Sequence, residues 1–247
     1  MNIGFQFKQF FVRHDRCAMK VGTDGVLLGA WAPTSKLKIK NAKLRILDIG
    51  TGSGLIAMML AQRCPEAQID AIDIDPEAVD QARENFQNSP WPDRLHASHC
   101  ALQDLSDSAF NLIVSNPPYF VDSLKAPDAA RCAARHNDTL PFATLIEESA
   151  RRLNPDGTLA VIVPCDAEQE LQTLAAAHGL QCTHRCYVQP KPGRPAKRVL
   201  LAWQQSLFFE QSGLYSMSEA VCEHLTLEDD HGGRSDEYKQ LTKDFYL

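Results

Sequence analysis

Two consecutive prolines, Pro117 and Pro118, follow directly on the run Phe110-Asn111-Leu112-Ile113-Val114-Ser115-Asn116, and no other feature constrains the fold as tightly. The apolar run reads as a buried strand of a parallel sheet. Neither proline can continue a helix or donate to a ladder, so the strand stops there and the chain turns stiffly outward. Asn116 and Tyr119 are then held at the carboxyl end of a strand, the edge where open α/β sheets bind ligands. Asn116 has an amide oxygen, Pro117 a carbonyl with no N–H beside it, and Tyr119 a flat apolar face. Two acceptors beside a stacking plane suit a planar group bearing an NH2. The same stretch read alone is also a strand-ending turn with an incidental tyrosine.

The context lies upstream. Leu44-Arg45-Ile46-Leu47-Asp48-Ile49-Gly50 reads as a strand, Thr51 to Gly54 as a glycine-rich turn and Leu55 to Arg63 as an apolar helix. Gln68 to Ile74 is a second strand, and Asp75-Pro76-Glu77 opens a helix with Asp75 as cap and Pro76 at the first position. Strands are expected at 95–100, 110–115 and 157–163, with helices at 141–153 and 166–178. Residues 181–189 and 197–203 form two further strands joined without a helix, which pair antiparallel. The alternation gives a doubly wound, mostly parallel α/β sheet of seven strands with one antiparallel.

Three segments follow: 1–43 as an extension of strand, short helix and lysine-rich linker, 44–203 as the core, and 204–247 as a tail. In the extension, Thr23 or Asp24 is the candidate cap of an apolar helix. The tail carries a surface loop at Asp229 to Arg234 and ends in an amphipathic segment (Tyr238, Leu241, Phe245) that should dock on the body.

The chain has 247 residues and 44% hydrophobic content, ordinary for a globular protein. No stretch is apolar for long enough to span a bilayer and the N-terminus is not a signal peptide, so a cytoplasmic location is expected. Eight cysteines are then read as reduced thiols. Cys182 and Cys186 invite a zinc reading, but no second close pair accompanies them and no metal is expected. The net charge of −6 argues against a nucleic-acid binder, yet its distribution is uneven. Residues 1–45 hold nine Lys/Arg against two acids, and the remainder 16 against 29. Such asymmetry points to one face meeting a polyanion, or to a solvated basic arm.

At the first turn, Asp48-Ile49-Gly50-Thr51-Gly52-Ser53-Gly54 lets the backbone approach a ligand, and Asp73 at the second strand end can accept from two ribose hydroxyls. Gly52 to Ala57 also fits the dinucleotide pattern G-x-G-x-x-G/A, which leaves a nicotinamide-dependent oxidoreductase as a rival. Asp48 disfavours it, because a carboxylate there repels a pyrophosphate and suits an amino group instead.

Asp48-x-Gly50-x-Gly52-x-Gly54 with Asp73, and Asn116-Pro117-Pro118-Tyr119 after the fourth strand, resemble the signature motifs of the Rossmann-like class I S-adenosylmethionine-dependent methyltransferases. Within them the Asn-Pro-Pro-Tyr group methylates exocyclic or amide nitrogens, with release-factor glutamine as the nearest rival substrate. Phe7-Lys8-Gln9-Phe10, Met19 to Trp31, Ala134-Arg135-His136, Lys197 to Leu201 and Leu241 to Leu247 extend the resemblance to the tRNA1(Val) adenine(37)-N6 methyltransferase family.

That resemblance implies that Asp48, Gly50, Gly52, Gly54 and Asp73 hold the cofactor, with Ile74, Cys100 and Ala101 completing the set. The stretch Lys20 to Asp24, including Thr23, lies over its methionine end, and Asn116 to Tyr119 hold the target adenine. The third-strand position His99-Cys100-Ala101 lacks the acid often found there. Candidates for contact with tRNA are Arg13, Arg16, Arg135, His136, Lys191, Arg194, Lys197 and Arg198. A non-catalytic RNA-binding module with the same fold is a further rival.

Overall fold

The structure is a computed structural model, and it describes residues 3–34, 44–106, 108–118, 140–206 and 220–246. The N-terminal hairpin is β1 (Gly4–Gln6) and β2 (Phe11–Arg13), followed by α1 (Thr23–Trp31). The body runs β3 (Leu44–Ile49), α2 (Leu55–Arg63), β4 (Ala67–Asp73), α3 (Pro76–Gln87), β5 (Leu95–His99), β6 (Phe110–Ser115), α4 (Phe142–Arg152) and β7 (Leu153–Pro164). It continues with α5 (Glu168–Ala177), β8 (Leu180–Gln189), β9 (Arg198–Gln205), β10 (Val221–Thr226) and α6 (Asp236–Thr242).

Eight of these strands form one sheet in the order β10-β8-β9-β7-β6-β3-β4-β5. β9 runs antiparallel to both neighbours and every other pairing is parallel. The mostly parallel α/β sheet with one reversed strand is thus borne out, and the tail adds β10 beyond β8 as an edge strand.

β3 and β6 read as near-continuous apolar runs because they are covered on both faces. Along them alternate side chains enter different cores. Ile46, Leu112 and Val114 join α1, α2, α3, α6 and the N-terminal hairpin. Leu47, Ile49 and Ile113 face α4 and α5. Trp203, fully buried on the second face, donates its indole N–H to Gln172 Oε1 at 3.0 Å. Trp31 is only half-buried and donates to Glu223.

Two sequence expectations are corrected by distant partners. The cap of α1 is Gly22 and makes no side-chain bond; Thr23 and Asp24 lie inside the first turn, where Asp24 pairs instead with Arg198 at 2.9 Å. Cys182 and Cys186 do not share a face. A register shift between Cys182 and His184 turns the strand over, so Cys182 packs toward α4 and α5 and Cys186 toward the other core. Among the described residues no three His, Cys, Asp or Glu side chains gather as a metal cluster.

The end of the chain packs against the N-terminal hairpin. Ser235 caps α6 by accepting from the Tyr238 N–H, Tyr238 and Phe245 are buried, and Phe245 O accepts from the Lys8 N–H at 2.8 Å. Tyr246 stacks on Phe7, which joins the two chain ends against the back of α2. Among the described residues no helix is long and apolar enough to cross a membrane.

Candidate active site

The carboxyl ends of β3, β4, β5 and β6 surround a cavity of about 840 Å³. Its floor is the turn Gly50 to Ser53, one wall is Asp73 to Asp75, another is Cys100 to Gln103, and the far side is Ser115, Asn116 and Pro118. Residues 17–20 and 22–25 of the N-terminal extension roof it.

The turn needs glycine for two different reasons. Gly50, Gly52 and Gly54 all have positive φ (69°, 54° and 81°). A Cβ on Gly50 or Gly52 would meet nothing within 4 Å, so these two leave open space on the cavity side. A Cβ on Gly54 would lie 2.4 Å from Phe86 Cε1, and Gly54 does not line the cavity. Its role in the protein is packing of the turn on α3.

The amides of the turn are already engaged. Gly50 and Thr51 donate to Ile72 O, Gly54 donates to Thr51 O, and Gly52 donates to Asp73 Oδ2 at 2.8 Å. A pyrophosphate bound here would find no free N–H among those four, and a carboxylate in place of a donor. The dinucleotide reading loses its chemistry on that count.

Asp73 Oδ1 accepts from the Asp75 N–H at 3.0 Å, which fixes the carboxylate at the strand end with lone pairs left for a ligand. Ile74, 48% exposed, presents an apolar side chain beside it. The Ile74 carbonyl accepts from His99 Nε2 at 2.9 Å and the Cys100 N–H donates to Asp73 O, so β4 and β5 hold this wall together.

Asp48 lies beneath the turn and outside the cavity wall. It is fully buried, and its Oδ2 accepts from Thr51 Oγ1 at 2.7 Å and from the Ala57 N–H at 3.2 Å. Oδ1 has no partner among the described residues. Burial pushes its carboxyl up to about 7, against the pull of Thr51 and Ala57, and Asp73 adds repulsion. The Cys17 thiol in the roof is pushed up to about 12, first by burial and then by Asp73 and Asp75.

On the far side Ser115 Oγ donates to Ile49 O at 3.0 Å and locks the ends of β6 and β3 together. The next residue, Asn116, keeps a buried Oδ1 that has no hydrogen-bond partner among the described residues. Tyr119, Arg135 and His136 lie outside the described residues.

Of the cofactor candidates, Lys20, Thr23, Gly50, Gly52, Asp73, Ile74, Cys100 and Ala101 come together on the cavity, while Asp48 and Gly54 support it from behind. Of the catalytic candidates Asn116 and Pro118 line it and Pro117 is buried behind them. Sequence reasoning missed Gln103 and Met19 as lining residues. Gln103 was findable as the first side-chain amide beyond the acid-free third strand.

Among the basic candidates, Arg13 and Arg16 pair with Glu84, Lys191 with Glu228 and Arg198 with Asp24. Lys20, Arg194 and Lys197 are exposed and have no ion pair among the described residues.

A doubly wound sheet with carboxylates around an internally satisfied glycine turn, and a strand-end amide oxygen unpartnered among the described residues, is the frame of a class I methyltransferase. Comparison with known proteins agrees. The family model described as "Methyltransferase small domain" matches residues 32–180. The chain is similar, at 48% identity over 98% of its length and 97% of the relative's, to the tRNA1(Val) (adenine(37)-N6)-methyltransferase of Phocaeicola vulgatus. It is 46% identical, over the same shares of both chains, to the protein of that description in Bacteroides thetaiotaomicron. A crystal structure described as a predicted O-methyltransferase from Agrobacterium tumefaciens matches with a TM-score of 0.63 over 90% of this chain and 96% of that one. At 18% identity it speaks for the fold alone. The chain belongs to the tRNA1(Val) (adenine(37)-N6)-methyltransferase family.

Proposed function

We propose that this protein transfers the methyl group of S-adenosylmethionine to the exocyclic N6 of adenine 37 in tRNA1(Val), in the cytoplasm. The observation that carries the reading is the Asn116 side-chain oxygen, a buried acceptor on the cavity wall left without a donor among the described residues. Burying such a group unpaired is costly, so it is matched by a donor that arrives with the substrate.

The residues present fit the cofactor. Gly50 and Gly52 leave room for close approach, Asp73 offers acceptors for ribose hydroxyls, and Ile74, Ala101 and Leu102 offer apolar contact for a purine. Gln103 supplies an amide with both donor and acceptor for the purine edge, in place of the missing acid. Asp73 and Asp75 line the cavity with carboxylates suited to a cation, and Asp48 beneath the floor adds a third when ionised. When bound, S-adenosylmethionine supplies a methyl group activated by a sulfonium.

The protein's own contribution is positioning. Asn116 Oδ1 and the Pro117 carbonyl accept the two N6 hydrogens, which draws electron density onto a nitrogen otherwise delocalised into the ring. Pro117 and Pro118 keep that geometry stiff. Tyr119 supplies the stacking plane for a base swung out of its strand. No strong base is required, since the methylated nitrogen is cationic until it releases its proton to solvent.

Lys20, Arg194 and Lys197 are the cations ready for phosphates. Arg13, Arg16, Lys191 and Arg198 exchange an internal carboxylate to reach RNA, and Arg135 and His136 follow the adenine-binding turn. Residues 1–43 serve as lid and RNA contact, 44–203 as the catalytic core and 204–247 as the docked tail.

The test is methyl transfer from tritiated S-adenosylmethionine to unmodified tRNA, with release factor alongside and the product digested to nucleosides. N6-methyladenosine in tRNA is expected, and label in protein instead would overturn the substrate. Asn116→Ala should keep cofactor affinity and lose about a hundredfold or more in turnover. Wild-type turnover in that variant refutes the site.

A further inference from the structure

Gln81 and Asn85 sit one helical turn apart on α3 and are 0% and 2% exposed, yet their hydrogen bonds go to backbone outside the helix. Asn85 Oδ1 accepts from the Arg13 N–H at 2.9 Å, and its Nδ2 donates to Arg13 O at 2.8 Å and to Ser53 O at 2.7 Å. Gln81 Oε1 accepts from the Arg16 N–H at 3.1 Å.

One end of these bonds is the floor of the cavity and the other is the stretch of chain that leads directly into its roof. Ser53 lies between Gly52 and Gly54 in the glycine turn. Arg13 and Arg16 enter the roof segment, whose residues Cys17 to Lys20 cross the mouth. That crossing is pinched shut by buried His14, whose Nδ1 accepts from the Val21 N–H at 3.1 Å. Met19 is exposed and the cavity lies under the crossing, so its place is set by its moorings.

We infer that Asn85 is a positioning residue for cofactor binding: one buried amide holds the roof and the glycine turn at a set separation, with Gln81 as a second mooring. The inference rests on reading the cavity as the cofactor site. All the bonding capacity of the Asn85 side-chain nitrogen is used across that gap, and its removal leaves three backbone groups unpaired at once. Because Asn85 binds both the floor and the stretch leading into the roof, occupancy of the cavity and ordering of residues 14–21 are linked, and linkage is reciprocal. A ligand that orders the roof is bound more tightly when the roof is already moored.

The test joins amide hydrogen exchange of the segment 13–22, with and without S-adenosylhomocysteine, to calorimetric titration with S-adenosylmethionine. In the wild type, ligand should slow exchange of this segment. Asn85→Ala should speed its exchange in the free protein and weaken affinity about tenfold or more, the expected effect of unpaired buried backbone groups. Turnover at saturating cofactor should change by less than about threefold, since the groups facing the adenine are untouched.

Gln81→Leu, close in volume, removes only the Arg16 bond and should show the same pattern at about threefold, which keeps the inference testable if Asn85→Ala does not fold. A folded Asn85→Ala with wild-type exchange and affinity overturns the inference, as does a fall in turnover at unchanged affinity. Failure of the wild type to bind cofactor overturns the reading of the cavity and the inference with it. Binding that survives both substitutions overturns the inference alone.

Discussion

Cofactor affinity should depend on pH through Asp48. Its carboxyl is sealed between β3, the glycine turn and α2, with one oxygen bonded to Thr51 and Ala57 and the other unpartnered among the described residues. Burial raises it from an ordinary 3.8 to about 7. A cation in the cavity favours the ionised form, so the protein must release a proton to bind it below that point. If only the ionised form binds well, affinity at about pH 6 is about tenfold weaker than on the alkaline plateau, and falls about tenfold per further pH unit.

Stability carries the opposite sign. A folded value above the unfolded one means a contribution fully present below the ordinary carboxylate range and lost as pH rises through about 7. The difference corresponds to about 4 kcal/mol, so the free protein loses stability toward alkaline pH while the cofactor complex does not. Calorimetry in two buffers of different ionisation enthalpy counts the protons, about 0.9 released at about pH 6 and about 0.1 at about pH 8. Asp48→Asn should abolish both the proton release and the pH dependence. Wild-type affinity that is flat between about pH 6 and pH 8, with no proton released, refutes the reasoning.

Three further outcomes follow from the geometry. Gly54→Ala should cost about 2 kcal/mol or more in thermal unfolding, from a positive φ and the Phe86 ring, while Gly50→Ala should cost about 1 kcal/mol and act mainly on cofactor affinity. Equal stability losses in the two would refute the division of roles. Phe245→Ala should destabilise by about 3–5 kcal/mol in denaturant titration, and a loss below about 1 kcal/mol would mean that the tail does not anchor the fold. Arg194→Ala or Lys197→Ala should each lower the salt dependence of tRNA binding by about one phosphate contact and leave cofactor affinity alone; an unchanged salt slope removes that loop from the RNA face.

What could be read from the residues, and what could not, divides along the reach of the partner. β6 was legible to its last residue, because an apolar run closed by two prolines contains both its own driving force and its own stop. α2 was equally plain between the glycine turn and Arg63. β10 was not. Val221-Cys222-Glu223-His224 is exposed and has no apolar face, and it is a strand because β8 offers an edge to pair with. Asp24 resembled a cap and became half of an ion pair with a residue 174 positions away. Cys182 and Cys186 looked like a pair until a bulge put them on opposite faces.

The site shows the same division at higher stakes. The motif around Asp48 announced a ligand turn but not its donor inventory. Only the folded arrangement, in which Asp73 takes the Gly52 N–H and Ile72 takes those of Gly50 and Thr51, removes the amides that a pyrophosphate would need. Gln81 and Asn85 carry nothing in their own segment that marks them as buried. They are dry because the N-terminal hairpin lies over them, and the hairpin lies there because these two amides satisfy its backbone. Such mutual burial has no local signature in either segment. It is also where one substitution should separate binding from turnover, since neither side chain faces the Asn116 wall that positions the adenine.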